Sequence, residues 1–251
     1  MSEDAIPAAT LVVWRDAEPE RNASPDILVV ERSAKMAFAA GAIVFPGGRI
    51  DAADRALATM LDRPDESAKV TAIRETIEET GIAPGLTQSV EPSLGLALQA
   101  LLHEGADFAQ LLDKHGLALD LDALTPFARW MPAFRQPRKF DTLFYLAAAP
   151  RGDWHPHPQP GECEAAEWAN AGTLLERIDR GEASAIFPTK RNLERLAQHR
   201  DLTAALADAR AHSLDTIIPW IEEIDGVRHV RIPEDRGYPV LSEPLATAFR
   251  A

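Results

Sequence analysis

The sequence predicts a mixed α/β fold of the α+β kind, and three observations predict it. Two apolar, β-branched segments near the start, "ATLVVWRD" and "DILVVERS", have the character of strands. The segment from Glu66 to Thr80 carries apolar residues at helical spacing. Further strand-like segments near the middle and end follow one another without regular helical crossovers, so a mixed sheet with antiparallel pairs is expected rather than a βαβ series.

The bulk properties bound the function. A chain of 251 residues is long enough to bury a proper core, and 46% hydrophobic with 26% charged residues is the composition of an ordinary globular protein. The formal net charge of -13 argues against nucleic acid as the main partner, because phosphate backbones are bound by clustered Lys and Arg. It leaves small phosphorylated ligands open, since a divalent cation reverses the sign of a site locally. No apolar run is long enough to span a bilayer, so no membrane partner is expected. The stretch "MSEDAIPAAT" lacks the basic start of a signal peptide, and a single cysteine, Cys163, can form no internal disulfide. A cytoplasmic location is the expectation.

In chain order, the first two strands are expected to be neighbours across a polar, Pro-containing loop. "AGAIVFPGGRID" reads as a third short strand ending at Pro46-Gly47-Gly48, where glycines permit unusual backbone angles and a close approach to a ligand. "AADRALATMLDRP" has helical spacing at Leu57, Met60 and Leu61, with Pro64 as its stop. In the next helix Asp65 or Ser67 can cap the start, Val70, Ile73 and Ile77 form the apolar stripe, and Gly81 can end it. Residues 92 to 115 read as one or two helices, "PFARWMPA" and "KFDTLFYLAAA" as strands, and "EAAEWANA" as a strand leading into a helix at 171 to 180. A long helix is expected over 190 to 212, and Asp225-Gly226 between alternating segments signals a hairpin. A single domain over 8–251 follows, with a helical insert at about 86–125 and a C-terminal helix and hairpin extension at about 190–251.

The chemistry concentrates in "RETIEETG". On a helix Glu75, Glu78 and Glu79 share a face, where like charges three and four apart cost a few tenths of a kcal/mol per pair, roughly. Taken alone, three glutamates are most simply a solvated surface. The glycine turn upstream and the like-charge clustering favour a second reading: hard divalent cations such as Mg2+ take carboxylate, water and phosphate oxygens. In that arrangement a carboxylate can take a proton from a bound water, and Arg74 can hold Glu75 by a charge-assisted hydrogen bond.

These residues resemble the catalytic helix of the Nudix hydrolases, whose box reads G-x5-E-x7-R-E-U-x-E-E-x-G-U, with U a bulky aliphatic residue. Gly48, Glu66, Arg74, Glu75, Glu78, Glu79, Gly81 and Ile82 fit it. Two departures stand out. Gly48 and Glu66 are 18 positions apart instead of six, so the box carries a 12-residue insertion, and Thr76 takes a position usually aliphatic. The insertion, with "ERSAKMAFAAGAIVFPGGRID", "FARWMPAFRQPRKFDTLFYLA" and "FPTKRNLERLA", is similar to the branch that contains the mammalian peroxisomal coenzyme A diphosphatase.

The resemblance implies a Nudix fold, a mixed β-sheet sandwiched between α-helices. It implies Mg2+- or Mn2+-dependent hydrolysis of a diphosphate in a nucleoside diphosphate derivative, coenzyme A or an acyl-CoA first. ADP-ribose, NADH or a related compound is the alternative within the class, and a non-catalytic nucleotide-binding or regulatory protein is the alternative outside it. Carried over residue by residue, Glu78, Glu79 and the carbonyl of Gly47 would hold metal. Glu75 would be the general base or hold a second metal through water, oriented by Arg74, and Glu66 would support the metal cluster or a bound water. One more glutamate from outside the box is expected, Glu164 ahead of Glu162 and Glu167. A coenzyme A motif, L-L-T-x-R-S-x3-R-x3-G-x-V-x-F-P-G-G, is matched at Arg32, Ser33, Gly41, Phe45, Pro46, Gly47 and Gly48. Ala37 stands where its second arginine would be, and Lys35 is out of register. Arg32, Ser33, Phe45 and Gly48 are therefore the candidate substrate contacts, with Ile43 and Phe45 otherwise read as core. Many relatives form homodimers.

Other features have plain readings. His155 and His157 lie between prolines in what reads as a solvated loop, Cys163 has no basic neighbour to activate it, and "PRKF" at 137–140 is a small basic patch.

Overall fold

A computed structural model describes residues 5–17, 24–36, 39–132 and 139–248. Ala37, and Pro137 and Arg138 of the basic patch, lie outside the described residues. The fold is the predicted mixed α/β class. The elements run β1 (Ala5–Arg15), β2 (Asp26–Arg32), β3 (Ala42–Val44), β4 (Gly47–Arg49), α1 (Ala52–Met60), α2 (Ser67–Thr80), α3 (Pro92–His103), α4 (Phe108–His115), β5 (Thr125–Trp130) and β6 (Lys139–Ala148). They continue with β7 (Cys163–Ala169), α5 (Ala171–Asp179), β8 (Ser184–Ala185), α6 (Phe187–Leu196), α7 (Leu202–Ala211), β9 (Trp220–Ile224), β10 (Val227–Arg231), β11 (Ser242–Pro244) and α8 (Leu245–Ala248).

The main sheet is held together at β1, which pairs in parallel with β6 along ten residues. Its other edge is divided. Trp14 and Arg15 pair with β2 at one end, while Ala8, Ala9 and Thr10 pair with β4 at the other. The first two strands are thus neighbours over only two residues, and β2 turns away to pair with β7 and β3. The sheet opens where β4 fits in, and that opening faces α2.

Alternation along the central strands divides the core in two. Ala9, Leu11 and Val13 pack toward α2, α3 and α4, with Ile73, Ile77 and Leu98, whereas Val12 and Trp14 pack toward α5, α6 and α7, with Phe127, Leu174 and Leu193. A strand buried on both faces reads as a continuous apolar run, which is why "TLVVW" shows no alternation.

Several expectations are corrected. "AGAIVFPGGRID" forms two strands, not one, and Gly47 and Gly48 are strand residues pairing with β1 rather than a turn. The helix begun at Ala52 buries Asp54, Leu57 and Ala58, leaving Met60 76% exposed. It ends before Pro64: Asp62 adopts φ 58° and the Arg63 N–H returns to the Ala58 carbonyl at 2.8 Å, a Schellman-type stop. Pro64 instead opens a 3-10 turn, Pro64–Glu66, that leads into α2, so neither Asp65 nor Ser67 caps α2 with its side chain. The 92–115 region is two helices; Asp107 caps the second by accepting from the Gln110 N–H at 2.9 Å. The long helix expected over 190–212 is also two, because Asp201 caps α7 by accepting from the Ala204 N–H at 2.8 Å. The Asp225-Gly226 hairpin is present, both residues having positive φ as the tight turn requires. Among the described residues no helix is long and apolar enough to cross a membrane.

Candidate active site

The placement of α2 follows from its stripe. Val70, Ile73 and Ile77 are fully buried against the sheet and α3, and Gly81 ends the helix in the left-handed region at φ 71°. Arg74, Glu75, Glu78 and Glu79 are thereby directed to the opened part of the sheet, where Gly47 and Gly48 lie. Glu79 is almost wholly buried and accepts the Gly47 N–H at Oε2, 3.2 Å away.

Both glycines are required by close approach, since neither has a positive φ. A Cβ on Gly48 would collide with the Glu75 carboxylate, and one on Gly47 would strike the Ala9 carbonyl and come within 2.6 Å of Thr10 Oγ1. The backbone angles expected at this position are ordinary; the space is not.

Arg74 is the centre of the polar cluster. Its Nη2 donates to Glu75 Oε1 at 2.8 Å and its Nη1 to Glu78 Oε2 at 2.9 Å. The remaining donors reach Asp54: Nε to Oδ1 at 2.8 Å and Nη2 to Oδ2 at 3.0 Å. Asp54 is 1% exposed and also accepts from Thr71 Oγ1 at 2.8 Å. Burial opposes the Arg74 charge, but Asp54 and Glu75 outweigh it and raise the guanidinium pKa.

Glu66 does not join this cluster. It pairs with Arg63 at 2.7 Å and Lys69 at 3.0 Å on the first turn of α2. Asp54 stands in its place, six residues after Gly48, the spacing the box prescribes. The chain inserts its twelve extra residues after the acid rather than before it. Counting forward from the glycine, instead of back from Arg74, finds Asp54 in the sequence.

The carboxylates are crowded. Burial pushes Glu75 up to about 7, with Arg74 opposing and Glu78 adding to the rise. Burial likewise raises Glu78. Glu79 is driven well above its ordinary range by burial and then by Glu75, with the Arg32 charge holding it back. Arg32 is therefore close to the cluster, at the end of β2 opposite Cys163.

The other candidates divide. Glu162 acts on both Glu78 and Glu79, raising each. Glu164 is the extra residue of a bulge in β7 and accepts from Ser33 Oγ at 2.6 Å, while Glu167 pairs with Arg177 at 2.6 Å. Glu162 is thus the acid whose charge reaches the cluster, while the preferred Glu164 is engaged with Ser33. Ser33 is buried and tied to β7 by that bond and by its N–H to the Glu162 carbonyl at 2.7 Å. Phe45 is 3% exposed and packs edge-on to Phe144 in the core half away from α2, as its core reading had it.

The loop holding the two histidines does more than sit in solvent. The N–H groups of His157 and Gln159 donate to the carbonyls of Thr80 and Glu79 at 2.8 and 3.1 Å, capping the end of α2. His155 itself is exposed. Burial, with the Glu79 charge, pushes the Cys163 thiol up to about 12, so it is a neutral core group. A cleft of about 420 Å3 between Trp14, Asn170 and Arg200 contains none of the cluster residues and opens on the α6 side of the sheet.

Among the described residues no three His, Cys, Asp or Glu side chains converge as a ready metal-holding group. The reason is local: Glu75 and Glu78 lean on Arg74, and Glu79 on Gly47. The donor set nevertheless fits a hard divalent cation. It is all oxygen, it is largely shielded from solvent, and two of its carboxylates share the Arg74 guanidinium.

Residues 6–97 match the NUDIX domain family model. The chain is 26% identical to the acyl-coenzyme A diphosphatase NUDT19 of Gallus gallus over 92% of this chain and 79% of that protein. It is 24% identical to the protein of the same name from Homo sapiens, over 84% and 72%. Among solved structures, a NUDIX hydrolase from Alicyclobacillus acidocaldarius superposes with a TM-score of 0.69 at 32% identity, covering 86% of this chain and 99% of that one.

Proposed function

Because this chain belongs to the Nudix hydrolase family, enzymes acting on pyrophosphate bonds, we propose that it cleaves the diphosphate of coenzyme A or an acyl-CoA. The observation that carries the reaction class is the Arg74-centred cluster of Glu75, Glu78 and Glu79 beneath Gly47 and Gly48. The likeness to acyl-CoA diphosphatases along 92% of the chain supports the substrate.

Nudix hydrolases generally use divalent metal ions. In this chain Glu78, Glu79 and the Gly47 carbonyl would hold Mg2+ or Mn2+, with Glu162 as the acid from outside the box. Bound there, the ion would acidify a water and offset phosphate charge. Glu75 accepts the proton of the attacking water. Arg74 fixes the Glu75 carboxylate, and Asp54 fixes Arg74. The water oxygen bonds to one phosphorus, the bridging P–O bond breaks, and two phosphate monoesters leave. From coenzyme A these are 3',5'-ADP and phosphopantetheine.

A second reading is favoured by one observation. Ser33 and Phe45, both matched to the coenzyme A motif, are engaged in holding β7 and the core. ADP-ribose, NADH or another nucleoside diphosphate derivative is the alternative substrate.

The test is a phosphate-product screen over coenzyme A, acyl-CoAs, ADP-ribose and NADH with Mg2+ or Mn2+. Cleavage of coenzyme A is expected to exceed the rest, to stop with EDTA, and to fall by about 10²–10⁴-fold in Glu75→Gln. Preferred cleavage of ADP-ribose would overturn the substrate, and an unimpaired Glu75→Gln the mechanism.

A further inference from the structure

The helical insert brings α3 across the last turn of α2. Gln99 on α3 donates from Nε2 to the Glu78 carbonyl at 3.2 Å and to the His157 carbonyl at 2.8 Å. His103 is four residues further on and so shares that face, one turn along. It is exposed, and its Nδ1 lies 2.7 Å from Nε2 of Gln159. Gln159 is itself 2% exposed and rigidly placed, its N–H on the Glu79 carbonyl and its own carbonyl accepting from Cys163 N–H at 3.0 Å.

We propose that His103 is a substrate contact of this site, donating from Nε2 to a phosphate oxygen of the bound diphosphate. The assignment rests on the diphosphatase reading above. An amide nitrogen donates only, so Nδ1 accepts and the neutral ring carries its hydrogen on Nε2. In this arrangement the buried glutamine takes one edge of the imidazole and leaves Nε2 as the donor edge. The ring stands on the Glu78 side of the cluster, within electrostatic reach of that carboxylate. Gln159 also has a buried Oε1 without a hydrogen-bond partner, an unmet acceptor in the wall behind the ring. A residue serving only as a basic helix end would need neither the glutamine behind it nor proximity to Glu78.

The experiment titrates α,β-methylene-ADP, an uncleavable diphosphate, with Mg2+ into the wild type, His103→Ala, His103→Gln, Gln159→Leu and the solvent-exposed control His155→Ala. His103→Ala is expected to bind about tenfold more weakly and to raise KM by a similar factor, with Mn2+ affinity and Tm unchanged. His103→Gln keeps a donor and recovers part of the loss; Gln159→Leu releases the ring and resembles His103→Ala; His155→Ala matches the wild type. Equal binding and KM in His103→Ala would overturn the assignment, as would a parallel loss of Mn2+ binding, which marks mere support of α2. Binding that depends on His103 in a wild type that cleaves no diphosphate would sink the hydrolase reading alone.

Discussion

Arg74 grips both carboxylate oxygens of Asp54, at 2.8 and 3.0 Å, across twenty positions that contain the box insertion. The same guanidinium holds Glu75 and Glu78. Removing Asp54 therefore strands a buried charge and loosens the guanidinium that holds Glu75, the proposed base. Asp54→Ala is expected to lose about 3 kcal/mol of stability in urea denaturation. Asp54→Asn keeps an acceptor and the Thr71 contact, so it should fold well yet turn over at least tenfold more slowly at saturating substrate and metal. Glu66→Gln, at a residue paired with Arg63 and Lys69 away from the cluster, should stay within about threefold of the wild-type rate.

Gly47 and Gly48 should fail differently. The atoms a Gly48 Cβ would meet are the far end of the Glu75 side chain, which can move. Gly48→Ala should keep its Tm within a few degrees and lose about 10²-fold in kcat, because Glu75 is displaced. A Gly47 Cβ meets the backbone of Ala9 and Thr10, so Gly47→Ala should cost about 1–3 kcal/mol in thermal unfolding.

Glu162 and Glu164 are two residues apart and behave as different groups. Glu162→Gln should weaken Mn2+ binding, read by electron paramagnetic resonance, by about tenfold or more. Glu164→Gln loses the charge at the Ser33 hydroxyl contact and should leave Mn2+ affinity within about twofold. The reverse order would restore Glu164 as the outer acid.

The C-terminal extension carries a pH dependence. Arg191 on α6 donates to Glu194 at 2.7 Å and to Glu243 on β11 at 2.9 Å. Burial pushes Glu194 up to about 7 from 4.5, with Arg191 opposing, and lowers Arg191. The folded state thus binds the Glu194 proton more tightly than the unfolded chain does. The contribution is full below pH 4.5 and is lost as pH rises through 7. Across that window it is worth roughly 3 kcal/mol. Urea denaturation of Glu194→Gln from pH 5 to 8 should show this downward slope removed, with the variant gaining on the wild type as pH rises.

The main elements were legible because each is dictated locally. Val70, Ile73 and Ile77 set the α2 face, Gly81 its end, and Asp225-Gly226 the hairpin. Errors arose where a local signal competes with a cap or a partner elsewhere. Asp201 splits an alanine-rich run that reads as one helix, and β4 leaves the line of β3 because β1 offers it an edge. Phe45 illustrates the limit at the site: a motif match says nothing about which side of the sheet a strand residue faces.

By itself the sequence determined the fold class, the acidic helix and, through its resemblance to the Nudix box, the reaction class, because the spacing of Arg74, Glu75, Glu78 and Glu79 is a property of one helix turn after turn. Asp54 has the box spacing from Gly48 and Glu66 has it from Arg74; that Asp54 meets Arg74 was decided only by the tertiary structure. Asp54, Glu162 and His103 come from the first turn of α1, the turn before β7 and a helical insert, and their distances to α2 depend on how the sheet opens around β4 and how those segments fold back over it. No spacing along the chain encodes that closure; it is fixed by packing and by the hydrogen bonds that hold each segment in place.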